Sequence, residues 1–184
     1  MIEENHKFID SAVFAAFIEH ATFEKIFHIT RHHHYLSMLR DGYIRGGQNP
    51  ERNWPTYSSF FVNMGCVCVT NNRQSYRVGM PESDAGWHST SFRFSSANFI
   101  SEYYGNTAVF LILSDEIEKE LISWSLWKKQ RKLSEKVIPY YEAGYKGNIP
   151  LSKIEKAILL DLVIPKDEGL AGMLSNVAKG KRKA

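Results

Sequence analysis

An α+β domain with a mainly β core is the fold this sequence predicts, and three observations carry the prediction. Short apolar runs of strand length recur at residues 27–30, 65–70, 107–113 and 157–164. Stretches of helical spacing separate them, and glycines close two of those stretches. The chain has 184 residues, 43% of them apolar and 13% aromatic, which is enough for one buried core without a disulfide or metal staple and too little for two. A single domain over 1–184 is therefore expected, with a flexible basic tail at about 179–184.

In order along the chain, residues 1–7 contain no hydrophobic leader and are expected to run into a helix. Phe8, Ile9, Val13, Phe14, Phe17 and Ile18 then recur at near-helical spacing and predict an amphipathic helix over 8–20. The alternation of Phe27, His28, Ile29 and Thr30 predicts a short strand. From His32 the pattern turns helical through Tyr35, Leu36 and Leu39, and Gly42 supplies the left-handed stop. Residues 45–64, with Gly46, Gly47, Pro50 and Pro55, are expected to form an ordered loop. Cys66 and Cys68 sit two apart on the next strand, so they share a face and read as small core side chains.

Residues 71–91 are polar and rich in breakers, a long excursion of the kind that serves binding. Ser95 or Ser96 caps a short helix ending near Gly105, and 107–113 is the clearest buried strand. A helix is expected over 115–127 with a basic run, Lys128, Lys129, Arg131 and Lys132, at its exit. Residues 137–145 read as a strand, 147–152 as a turn, 157–164 as a central strand, and the last 15 to 20 residues as a weak helix.

Lys and Arg number 23 against 20 Asp and Glu, so the net charge is only +3. That permits a polyanionic partner without demanding one. No apolar run reaches the length of a membrane helix, and a cytoplasmic location without membrane attachment is the expectation. Signatures for phosphate-binding loops, dinucleotide-binding Gly clusters, zinc proteases and serine hydrolases are absent. His32, His33 and His34 point about 100° apart on a helix and do not converge on one metal. A zinc site built from His28, His32 and a cysteine has no supporting spacing, so no metal is expected.

The order of pieces is more informative. Residues 27–30 (Phe-His-Ile-Thr), 35–44 (Tyr-Leu-Ser-Met-Leu-Arg-Asp-Gly-Tyr-Ile), 67–73 (Val-Cys-Val-Thr-Asn-Asn-Arg), 108–113 and 141–154, the last running from Tyr141-Glu142 through the Ile149-Pro150-Leu151 turn, span most of the chain. In that order they resemble the DarT-type, phage-defence branch of the ADP-ribosyltransferase superfamily. The resemblance implies a split β core with flanking helices, NAD as substrate, and transfer of ADP-ribose to a nucleic acid or protein acceptor by a toxin or phage-defence effector, with an antitoxin or inhibitor protein as a further partner.

It also implies roles for residues. Glu142 would be the catalytic carboxylate, since cleavage to nicotinamide passes through an oxocarbenium-like state that an adjacent anion stabilises; Glu135 is the reserve. His28 would contact the NAD ribose, with Thr30 adding a hydroxyl to the same pocket. Tyr43 would stack on nicotinamide, in preference to Tyr76 and Tyr104. Arg73 would hold a phosphate or orient the acceptor. Lys128 to Lys132 and the tail would hold nucleic-acid phosphates, and Trp54 or Trp87 would stack a base. Each residue has a plain alternative: a solvated strand-end charge for Glu142, a backbone-bonded structural imidazole for His28, a surface charge for Arg73.

The chain departs from the family pattern in separating Thr70 from Arg73 by two asparagines, and in carrying Ala143 and Gly144 after Glu142. A second mapping resembles the branch that uses Arg, Ser and Glu, with Arg31 on the first strand and residues 89–91 (Ser-Thr-Ser) as the second element, although Tyr140 occupies the slot two before Glu142. The leading expectation is one pocket in which Glu142 faces His28.

Overall fold

The computed structural model describes residues 1–47, 59–80, 96–130, 135 and 137–163. Trp54, Trp87, the 89–91 segment, Arg131, Lys132 and the basic tail lie outside the described residues.

Seven strands form one mixed sheet. In chain order they are β1 (Ile2–Phe8), β2 (Ile26–Arg31), β4 (Cys66–Asn71), β5 (Ala108–Leu113), β6 (Leu121–Ser123), β7 (Glu142–Lys146) and β9 (Ile154–Leu162). In space the order is β1-β9-β5-β2-β4-β7-β6. β1 runs parallel to β9 and every other pair is antiparallel. β3 (Tyr43–Ile44) and β8 (Ile149–Pro150) make a separate two-stranded sheet.

Helices cover both faces. One face of the β1-β9-β5-β2 half carries Phe27, Ile29, Phe110, Ile112, Ile158 and Leu160. It packs beneath α1 (Ser11–Thr22) and α4 (Ala97–Tyr104) through Phe14, Ile18, Ala97 and Ile100. Farther across the same face, α3 (Ser59–Asn63) and α5 (Ser125–Lys129) close over Cys66 and Cys68, with Phe60 and Phe61 buried. The opposite face buries Ile26, Val69, Leu111, Ala143 and Ala157 under Tyr35 of α2 (His32–Asp41) and the β3-β8 pair.

Several expectations held: Ser96 caps α4 through the Phe99 N–H, Gly42 ends α2 at φ +83°, and β5 is buried along its whole length. Others need correction. Residues 2–8 form an edge strand, and α1 begins only after Asp10, whose carboxylate accepts the N–H groups of Ala12 and Val13. The residues expected to be helical over 115–127 divide into a 3₁₀ turn (Asp115–Glu120), the edge strand β6 and the start of α5. The acids at the start of that stretch suit a helix N-terminus, but only Ile117 is buried, and pairing with β7 decides the rest. The expected loop over 45–64 contains α3, and the strand expected over 137–145 starts only at Glu142, after a turn in which Tyr140 takes φ +65°.

Candidate functional site

The middle of the sheet is discontinuous. β2 pairs with β5 at every residue from Ile26 to Arg31, but with β4 only at Ile26 and Phe27, opposite Asn71 and Thr70. Beyond that point the two strands part. His28 is the first residue past the last pair, and its Nδ1–H donates to the Cys68 carbonyl of β4 at 2.8 Å, bridging strands whose ladder has ended. Burial pushes the imidazole pKa below its ordinary value, against the opposing effect of that hydrogen bond, so the ring is neutral.

Glu142 is the first residue of β7, opposite Thr70, which is opposite Phe27. Directly opposed residues in an antiparallel ladder share a face, so Glu142, Thr70 and Phe27 project from one side. His28, one residue on, projects from the other side with Ile26 and Thr30. The expected arrangement, carboxylate facing imidazole, is therefore not what the register gives. The two residues lie about 10 Å apart across the sheet, given two strand spacings, but on opposite faces. The residue of β2 beyond the parting that shares Glu142's face, and that carries charge, is Arg31, two positions past Ile29 on the same side. Alternation alone could have indicated this in the sequence, once β4 was placed between β2 and β7 in register.

The Glu142 carboxylate is 9% exposed and accepts the Ile138 N–H at 2.6 Å through Oε2, closing the turn that precedes β7. The Glu142 carbonyl accepts the Tyr76 hydroxyl at 2.9 Å, and that hydroxyl also accepts the Trp124 N–H at 3.1 Å. Burial raises the Tyr76 pKa, consistent with a phenol held as a structural tie between β6 and β7. Glu135, the reserve carboxylate, accepts Asn63 at 3.3 Å, and its carbonyl accepts the Trp127 indole N–H at 2.9 Å.

Arg73 is held by Asp115 and Glu118 of the 3₁₀ turn. Burial alone would lower its pKa, but the two carboxylates hold it above the ordinary value. Asn71, fully buried, accepts the Arg73 N–H at 3.1 Å and donates to Glu118 at 3.4 Å. Asn71 is not among the expected site residues; its signal in the sequence is a polar residue ending an otherwise apolar strand. Thr30 is buried beside His28 on one face, and Tyr43 lies under the Arg45 guanidinium at 5.9 Å in the β3-β8 sheet. Of the expected site residues, then, His28 and Thr30 come together, while Tyr43, Arg73 and Glu142 each belong to a different local structure.

An open depression of about 360 Å³ lies elsewhere, lined among others by His6, Lys7, His32, Thr107 and Asp161. It touches none of the expected site residues. Among the described residues no group of three His, Cys, Asp or Glu stands close enough to hold a metal ion, and no helix is long and apolar enough to cross a membrane. Neither a protein-family model, nor a curated protein, nor a solved structure matches the chain.

Proposed function

We propose that this chain transfers ADP-ribose from NAD to a macromolecular acceptor, nucleic acid or protein, at the seam between β2 and β4. The observation that supports the reading is the early end of the β2-β4 ladder, which is in keeping with the split core that the sequence resemblance implies, with Glu142 one strand beyond it on β7. Glu142 is the carboxylate of the reaction. When the bond between ribose C1′ and the nicotinamide nitrogen breaks, its electron pair leaves with nicotinamide and the ribose gains oxocarbenium character. A buried anion stabilises that charge far better than one in water. The acceptor then bonds to C1′ and gives up a proton, for which the same carboxylate is the base.

Arg31 replaces His28 as the partner of Glu142, because the two share a face. Strand spacing puts their backbones roughly 15–20 Å apart, and the long Arg31 side chain shortens the gap that a bound dinucleotide would have to bridge. A guanidinium suits the pyrophosphate. His28 acts as a positioning residue from the far face, its bond to Cys68 setting the width of the opening.

A second reading, a non-catalytic interaction module, is favoured by the carboxylate's existing bond to Ile138 and by the two carboxylates already on Arg73. Nicotinamide release from NAD by the purified protein separates the two. Glu142→Gln keeps an oxygen for the Ile138 N–H and removes the charge, so turnover falls about 100-fold or more with the melting temperature nearly unchanged. Equal inertness of wild type and variant, with RNA or DNA still bound, establishes the interaction module instead.

A further inference from the structure

β1 ends the sheet, and among the described residues no strand pairs with its outer edge. Such an edge offers a row of backbone N–H and C=O groups to another strand, and charged side chains normally discourage the pairing. On β1 the charges are arranged differently. Reading Ile2 to Phe8 against itself in the antiparallel sense about Asn5 sets Glu3 opposite Lys7, Glu4 opposite His6, Asn5 opposite Asn5 and Ile2 opposite Phe8. The Glu3–Lys7 and Glu4–His6 pairs are complementary and each occurs twice by symmetry, while the Asn5 pair occurs once, at the axis.

We infer that a second copy of this chain pairs with β1 in this register, about a two-fold axis through Asn5, and joins the two sheets into one. The sequence rejects the neighbouring same-face registers: centring on Glu4 opposes two glutamates, and centring on His6 opposes two histidines and sets Glu4 against Phe8. The charges on this edge therefore select one pairing and exclude its slips. The interface is isologous, as closed dimers require.

A second, independent feature lies above the strand. Phe17 of α1 packs on His6 and Phe8 of β1, with ring centroids 4.4 and 5.1 Å away. Val13 is four residues earlier, on the same flank of the helix, and is 60% exposed; Ile9, just past β1, is 69% exposed. Pairing about an axis perpendicular to the sheet puts both copies of α1 on one side, with these flanks turned toward each other. The dimer thus covers apolar surface that the single chain leaves in water.

Two substitutions test the register. Asn5→Cys places two thiols across the axis at the Cβ separation of directly opposed residues, about 5 Å, whereas Ile2→Cys places them roughly 20 Å apart. Mild oxidation is expected to give a covalent dimer quickly for Asn5→Cys, and no faster for Ile2→Cys than for wild type, which controls for Cys66 and Cys68. Lys7→Glu, at an exposed position, opposes Glu3 of the second copy twice and weakens the dimer seen by sedimentation about tenfold or more. A wild-type chain that sediments as one protomer from low to high micromolar concentration overturns the inference. So does cross-linking at Ile2→Cys that matches Asn5→Cys, or a dimer that Lys7→Glu leaves unchanged.

Discussion

β2 has two neighbours and is bound to them unequally. Every one of its residues has a partner on β5, and only the first two have one on β4. The β5 side is apolar on both faces and roofed by α1 and α4, with Phe110 stacked on Phe27 at 5.8 Å. The β4 side carries Thr70, Asn71 and Glu142, two thiols, and, on the face that α1 and α4 roof elsewhere, the short helices α3 and α5. A sheet interior that is apolar on both faces favours unbroken pairing, because each unpaired backbone group there stays unsatisfied. Polar side chains that reach backbone groups relax that demand, as His28 does at Cys68 and Glu142 at Ile138. One half supplies rigidity, and the other is where strands can part.

The largest test of this contrast is Phe110→Ala. The ring is fully buried at the centre of the continuous half, so its loss is expected to cost about 3–5 kcal/mol, read from the midpoint of urea unfolding. Both halves should lose hydrogen-exchange protection together. A cost below about 1 kcal/mol would show that the β5 side is not the scaffold.

Gly144→Ala probes the other half. A Cβ at this position of β7 runs into the Phe61 ring and comes within 3.1 Å of the Cys66 Cβ. Overpacking of this kind costs about 1–3 kcal/mol. Exchange protection is expected to fall in β4, β6 and β7 while β5 and β9 keep theirs. Phe61→Leu in the same chain should recover part of the loss, and strict additivity of the two substitutions would mean that the ring is not the obstacle.

Asn71→Ala comes next in size. It leaves the Arg73 N–H without its acceptor and removes the amide that reaches Glu118, at an expected cost of about 1–2 kcal/mol. Because the network ties β4 to the 3₁₀ turn, Arg73→Lys should reproduce much of this effect; an Asn71→Ala chain as stable as wild type would remove the network from the account.

What the sequence disclosed follows the same division. Apolar runs of full strand length, such as 107–113, were legible because burial on both faces writes the strand into composition. β1 was not, since its edge position leaves Glu3, Asn5 and Lys7 exposed and it presents no apolar run. β6, three residues long, has too short a pattern to outweigh the helix-forming acids before it. Glu142, His28 and Thr30 were expected as site residues from the resemblance, but their faces depend on which strands become neighbours. Only the register separates His28 from Glu142 and brings Arg31 to the carboxylate's side. The Asn71–Glu118 bond and the carboxylates on Arg73 depend on contacts 42 or more residues apart, which no local pattern encodes.

The smallest expected effect concerns the residue that bridges the parting strands. In the folded chain, burial keeps the His28 imidazole neutral and its pKa below 6.5. The unfolded chain protonates this side chain near 6.5, so below that pH the unfolded state binds the additional proton and stability falls as the solution is acidified. The contribution is complete above about pH 6.5 and declines on acidification until the folded value is reached, with a slope of at most about 1.4 kcal/mol per pH unit. Glu4, Asp41 and Glu120 have pKa values below their ordinary ones, so their contributions are lost only at lower pH. His28→Asn retains an N–H for the Cys68 carbonyl and does not titrate. Its melting temperature should change less between pH 7 and 5 than that of the wild type; parallel profiles would show that the imidazole is not the group held neutral at the seam.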